Sequence, residues 1–195
     1  MNFPLNLEFK IIALAPQISV YDSSGSLMFY VKKKLFKLKE AVTVFADRAK
    51  TQPLYQINAD RIIDFSARYH FKDQNGMELG SIKRHGARSI WKARYDIADV
   101  NGMDILEIHE ENPWVKVMDA IFSGIPFVGM LSGYVFHPVF LVSRPGGELV
   151  FKVTKKPAMF ESSFAIEKLG ELSGVEAVTA VLGILMMTLL ERARG

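Results

Sequence analysis

The chain has 195 residues, a length that suits one domain with enough chain to bury a sizeable core. Hydrophobic residues make up 49% and charged residues 23%, the balance of a globular rather than a disordered protein. There is no cysteine, which excludes a disulfide scaffold, a thiolate metal site, a cysteine nucleophile and S-palmitoylation; the net charge of +3 is too small to demand a nucleic-acid partner.

The N-terminal stretch carries Glu8 and Lys10 and is interrupted by Pro4 and Pro16. It has neither the long apolar core nor the cleavage site of a secretory signal, and Met1-Asn2 lacks the glycine of a myristoylation site. The expected location is cytoplasmic, soluble or peripheral at a membrane.

From Ile18 onward the chain repeats one device: a short alternating run, a turn, and a second alternating run. The turns read Asp22-Ser23-Ser24-Gly25, Asp73-Gln74-Asn75-Gly76, Asp99-Val100-Asn101-Gly102 and Arg144-Pro145-Gly146-Gly147, with a looser one near Asp47 to Gln52. The leading aspartates at 22, 47, 73 and 99 stand 25, 26 and 26 residues apart. Asp at the first turn position and Gly at the fourth suit a type I turn with a left-handed exit, which joins antiparallel strands.

The flanking runs predict hairpins 18–21 with 27–31, 42–45 with 53–57, 67–71 with 77–82, 93–97 with 105–108 and 139–142 with 149–153. Phe36 to Lys39, Ile62 to Ser66 and Phe164 to Lys168 read as further strands. About a dozen strands strain a single open twisted sheet, so the expectation is a mainly β, closed antiparallel barrel in which no edge is left exposed.

Two stretches break the strand rhythm. Asn112-Pro113 is a helix start, and Trp114, Val117, Met118, Ile121 and Phe122 then fall on one face until Gly124 and Pro126 end it. This predicts an amphipathic helix and apolar insertion over 113–137 between the fourth and fifth hairpins. At the C-terminus, Ser173 and Glu176 form a capping box, followed by 14 uncharged residues from Ala177 to Leu190.

A helix that is apolar on all sides must be surrounded. Fourteen residues cover only about 21 Å against the roughly 30 Å of bilayer hydrocarbon, which favours a protein interior over a membrane anchor. Ala177, Ala180 and Gly183 would let a wall approach closely, while Glu191, Arg192 and Arg194 read as a return to solvent. Ala120 to Ser143 is also uncharged if His137 is neutral, but glycines and prolines interrupt it. A packed insertion with a membrane-touching lip at 125–136 is the preferred reading over a spanning segment.

The run Tyr30 to Glu40, the segments Ile125-Pro126-Phe127-Val128-Gly129 and Gly133 to Pro138, and the helix after Ser173 together resemble the Tubby C-terminal-like fold. More narrowly, they resemble its LURP-one-related and phospholipid-scramblase-like branch, over about Ile18 to Arg192. The resemblance implies a single domain over 1–195, with about twelve strands wrapped around a central helix at 174–192. It also implies a non-enzymatic role at phosphoinositide-bearing or other lipid surfaces. The chain lacks the scramblases' Pro-rich arm, palmitoylated cysteines and dense acidic segment, so lipid scrambling is not expected of it.

Lys32, Lys33, Lys34, Lys37 and Lys39 are candidate lipid-binding residues, because clustered lysines attract anionic headgroups at about 1 kcal/mol each. The same pattern serves a solvated strand face that blocks edge-to-edge aggregation. Lys83, Arg84, Arg88, Lys92 and Arg94 extend the patch if folding brings them alongside. Ile125, Phe127, Val128, Met130 and Leu131 are candidate membrane contacts.

His70, His85, His109 and His137 are scattered without metal-ligand spacing, and the Asp60/Asp64 and Glu107/Glu110/Glu111 groups lack calcium-loop order. No nucleophile elbow or phosphate loop is present. No cofactor, metal or catalytic residue is expected. The expected partner is an anionic phospholipid headgroup; a soluble scaffold or small-ligand carrier is the alternative.

Overall fold

The computed structural model describes residues 1–10, 17–32, 42–61, 67–85, 94–111, 138–156 and 163–192. Twelve antiparallel strands follow one another in chain order: β1 Leu5–Lys10, β2 Gln17–Tyr21, β3 Leu27–Lys32, β4 Val42–Phe45, β5 Pro53–Ala59 and β6 Arg68–Asp73. β7 Glu78–Arg84, β8 Arg94–Ala98, β9 Asp104–Glu110, β10 Val139–Ser143, β11 Leu149–Lys156 and β12 Ser163–Lys168 complete the set. Each pairs with its sequence neighbours, and β1 pairs with both β2 and β12, so the meander closes into a barrel. The expected closed antiparallel architecture is present.

β1 is the strand that sequence reasoning missed. Leu5, Leu7 and Phe9 alternate with Asn6, Glu8 and Lys10, and the apolar set is wholly buried. Pro4 stands just before the strand, where its missing N–H disturbs no ladder. The expected strands at Phe36 to Lys39 and Ile62 to Ser66, and the amphipathic helix and insertion at 113–137, lie outside the described residues.

The turns form as their residues dictate. In each of three hairpins the Asp N–H donates to the carbonyl of the residue after Gly and the Asp carbonyl accepts the Gly N–H, while the carboxylate accepts two further amides. Asp73 takes the N–H of Asn75 at 2.9 Å and of Met77 at 2.8 Å; Asp99 takes those of Asn101 and Met103, and Asp22 those of Ser24 and Ser26. The closing glycines Gly25, Gly76 and Gly102 have φ near +80°, a conformation that costs a Cβ-bearing residue about 1–2 kcal/mol.

The last element, α1, spans Gly174–Arg192. Ser173 Oγ accepts the Glu176 N–H at 3.2 Å and the Glu176 carboxylate accepts the Ser173 N–H at 3.3 Å, so the capping box is formed. Arg144, standing where the other turns have Asp, reaches both the Glu176 carboxylate and the Glu171 carbonyl, pinning the helix start to the fifth hairpin. α1 is long and apolar enough to cross a membrane, yet Ala180 to Met187 are fully buried within the barrel. The interior reading of this segment is correct.

The helix is not centred. Gly183 lies so close to β8 that a Cβ there would meet Ile97 Cδ1 at 2.6 Å. About one turn earlier, the Thr179 hydroxyl donates to the Leu79 carbonyl at 3.2 Å. The small residues Gly183 and Gly80 therefore set α1 against the β7–β8 wall.

Candidate functional site

A meander sends its connections alternately to the two ends of a barrel. One end holds the five tight turns and the start of α1. The other holds the β1–β2, β3–β4, β5–β6, β7–β8, β9–β10 and β11–β12 connections and the end of α1. Lys32 is at this second end, exposed as the last residue of β3. Lys33, Lys34, Lys37 and Lys39 follow it and lie outside the described residues, as do Ile125, Phe127, Val128, Met130 and Leu131. Their flanks are described: Lys32 and Val42 bracket the lysines, and Glu111 and Pro138 bracket the apolar stretch, all at the same barrel end.

The second basic group does not form one surface patch. Arg94 is exposed and pairs with Glu107 at 2.8 Å. Arg84 is a correction: it points inward and is only 7% exposed. Strand alternation explains this, since Gly80, Ile82 and Arg84 share the inner phase of β7 while Lys83 faces out. Arg84 Nε lies 3.6 Å from a Glu191 oxygen without a hydrogen-bond partner of its own, and its guanidinium sits 5.8 Å from the Tyr95 ring centre. Arg88 and Lys92 lie outside the described residues.

Glu191 and Arg192 do not simply return the helix to solvent. Glu191 accepts the Tyr95 hydroxyl, and burial together with that carboxylate raises the Tyr95 phenol well above its ordinary range. Arg192 stacks over Phe9, its carbon 4.9 Å from the ring centre, and burial pulls its pKa below the usual arginine value. At that distance the stacked cation gains about 0.5–2 kcal/mol.

Because α1 leans on β7 and β8, a space opens on its other side. A cavity of about 470 Å³ lies at the connection end, between the last turn of α1 and the β9–β12–β1 wall. Phe9, Phe140, Phe164 and Met187 line it with apolar surface, and Glu110, Lys155, Glu191 and Arg192 carry its charge. Its size falls in the range of small-molecule sites. Sequence reasoning missed it, although a signal was present: Lys155 follows Phe151 and Val153 in the inward phase of β11, and Glu110 follows Leu106 and Ile108 in that of β9. A charge in the inward phase at a strand's end marks a polar opening.

The remaining expectations resolve into local structure. Asp60 accepts the Arg68 N–H at 3.0 Å, and His70 meets Glu78 at 2.6 Å; His85 pairs with Asp96. Among the described residues no three His, Asp or Glu side chains gather as a metal site. His137 and both tryptophans lie outside the described residues.

Residues 27–104 match the LURP-one-related family model. The resemblance to that family read from the sequence is borne out over β3 to the start of β9. A solved X-ray structure of a protein from Arabidopsis thaliana is similar at 14% identity with a TM-score of 0.46, covering 95% of this chain and 91% of that one. No curated protein matches the chain.

Proposed function

We propose that this protein is a non-enzymatic, peripheral lipid-binding module that meets anionic membranes with the connection end of its barrel. The observation that supports this is topological: the lysine-rich β3–β4 connection and the apolar β9–β10 connection leave from the same end. Lysines near an anionic surface contribute about 1 kcal/mol each, and apolar side chains inserted beside them add affinity that salt does not screen. The LURP-one-related match supports the same reading without naming a ligand.

Co-sedimentation with phosphatidylcholine vesicles, with and without phosphatidylserine, tests it. Retention should require the anionic lipid and weaken with salt, and Lys32→Gln with Lys33→Gln and Lys37→Gln should abolish it at physiological salt. Met77 and Met103, exposed at the opposite end, provide the control. Binding lost in Met77→Ser with Met103→Ser, and kept in the lysine variant, would assign the contact to the turn end instead. The alternative, a soluble small-ligand carrier, is favoured by the cavity beside α1.

A further inference from the structure

The charges at the cavity mouth are unequally engaged. Glu191 already accepts the Tyr95 hydroxyl and faces Arg84, and Glu110 also has an interaction of its own. Among the described residues, neither Lys155 nor Arg192 has a carboxylate within ion-pairing distance; Arg192 has only the Phe9 ring beneath it. Both acids thus have a partner elsewhere, whereas Lys155 and Arg192 have no carboxylate, so the two bases are the charged groups at the mouth left to meet a guest. Behind the mouth the walls are apolar: Phe140 on β10 and Phe164 on β12 flank β11 from either side, and Met187 is fully buried. The Thr188 hydroxyl donates to the Leu185 carbonyl at 2.8 Å, so its polar atom is already satisfied within the helix.

A greasy chamber with an unneutralised cationic mouth has the polarity of an amphiphile reversed. Water filling it would leave the aromatic walls wetted, and a neutral apolar guest would leave the two cations without a counter-charge. We propose that the cavity binds one single-chain amphiphile with an anionic head, carboxylate or phosphate. Its tail lies along Phe140, Phe164 and Met187, and its head sits between Lys155 and Arg192. This deepens the carrier reading and does not depend on membrane contact, since vesicle binding and cavity binding can succeed or fail separately.

The test is isothermal titration of the full chain with dodecanoate, dodecyl phosphate and dodecyltrimethylammonium, each below its critical micelle concentration. One anion at least should bind saturably with one-to-one stoichiometry, and the better of the two names the head class. The cation should bind about tenfold weaker or worse, equivalent to roughly 1.4 kcal/mol. Lys155→Gln with Arg192→Gln should weaken the anion by a similar factor, and Phe164→Trp should weaken it by filling the tail path. Thermal melts without ligand establish that each variant is folded; if the double variant is not, Lys155→Gln alone decides.

Absence of saturable binding for both anions would overturn the proposal. So would equal affinity for anion and cation, or unchanged affinity in a folded variant lacking the lysine. The lysine variant of β3–β4 should titrate like the original protein, which separates this site from the membrane surface.

Discussion

Gly80→Ala probes the seating of the helix most directly. Gly80 has φ of +144°, a conformation essentially reserved for glycine, and forcing another residue there costs on the order of 1–3 kcal/mol. The space is also taken: a Cβ would stand 2.4 Å from the Ala98 carbonyl oxygen and 2.9 Å from Thr179 Cγ2. The first neighbour is backbone in the β7–β8 ladder and the second belongs to α1, so relief requires moving a strand or the helix. Overpacking of this kind adds roughly 1–3 kcal/mol, giving an expected loss of about 2–6 kcal/mol.

Gly76→Ala is the matched control. Its φ is +80° and nothing lies within 4 Å, so only the left-handed penalty of about 1–2 kcal/mol applies. Thr179→Ser in the Gly80→Ala background should restore part of the loss by removing the methyl, but not all, because the Ala98 oxygen remains. Urea unfolding of the four proteins measures these differences from midpoints and slopes. If Gly80→Ala is no more destabilising than Gly76→Ala, the close approach of β7, β8 and α1 is wrong.

Removing the residues after Gly174 should unfold the chain, because the inward strand faces lose the apolar body they pack on; a cooperative, native-like melt by circular dichroism would contradict this. Leu185→Ala, at a fully buried site, should cost about 2–5 kcal/mol, and Ile184→Asp more, through an unpaired buried carboxylate. The Ser24 hydroxyl with the turn amides at Asp22, and the amide of Met103 with its neighbours at Asp99, hold these carboxyls below the usual aspartate pKa against the opposing effect of burial; at Asp47 burial is the largest single influence and raises the pKa, but the bonds from Thr51 and Gln52 together outweigh it. Their contribution is therefore fully present above the unfolded value of about 3.9 and is lost as pH falls through the lower folded values. Asp99→Ala should flatten the acid limb of a stability–pH curve, and an unchanged limb would show that its turn bonds carry no linkage. Tyr95→Phe should cost roughly 1–3 kcal/mol by deleting a bond to a charged acceptor, and in the original protein the phenol should not ionise before alkaline unfolding, as ultraviolet difference spectra would reveal.

What the sequence determined by itself was local. Asp and Gly at fixed turn positions closed the hairpins, because side-chain-to-amide bonds and a left-handed glycine act within five residues. Period-two alternation placed the strand faces, and Ser173 with Glu176 started the helix. The apolar circumference of Ala177 to Leu190 required that helix to be surrounded, whatever surrounded it.

Tertiary structure decided the rest. β1 earned its place only by pairing with β2 and with β12, more than 150 residues away, at Asn6 and Ala165. Arg84 turned inward because the phase of β7 carried it there, and it met Glu191 only once α1 entered the barrel. The cavity belongs to no segment: it is the volume left when Gly80 and Gly183 admit the helix to one wall and the opposite wall cannot follow. Hydrogen-bond and turn rules act between near neighbours, whereas a cavity and its uncompensated charges arise from how five distant strand ends and one helix end divide the space between them.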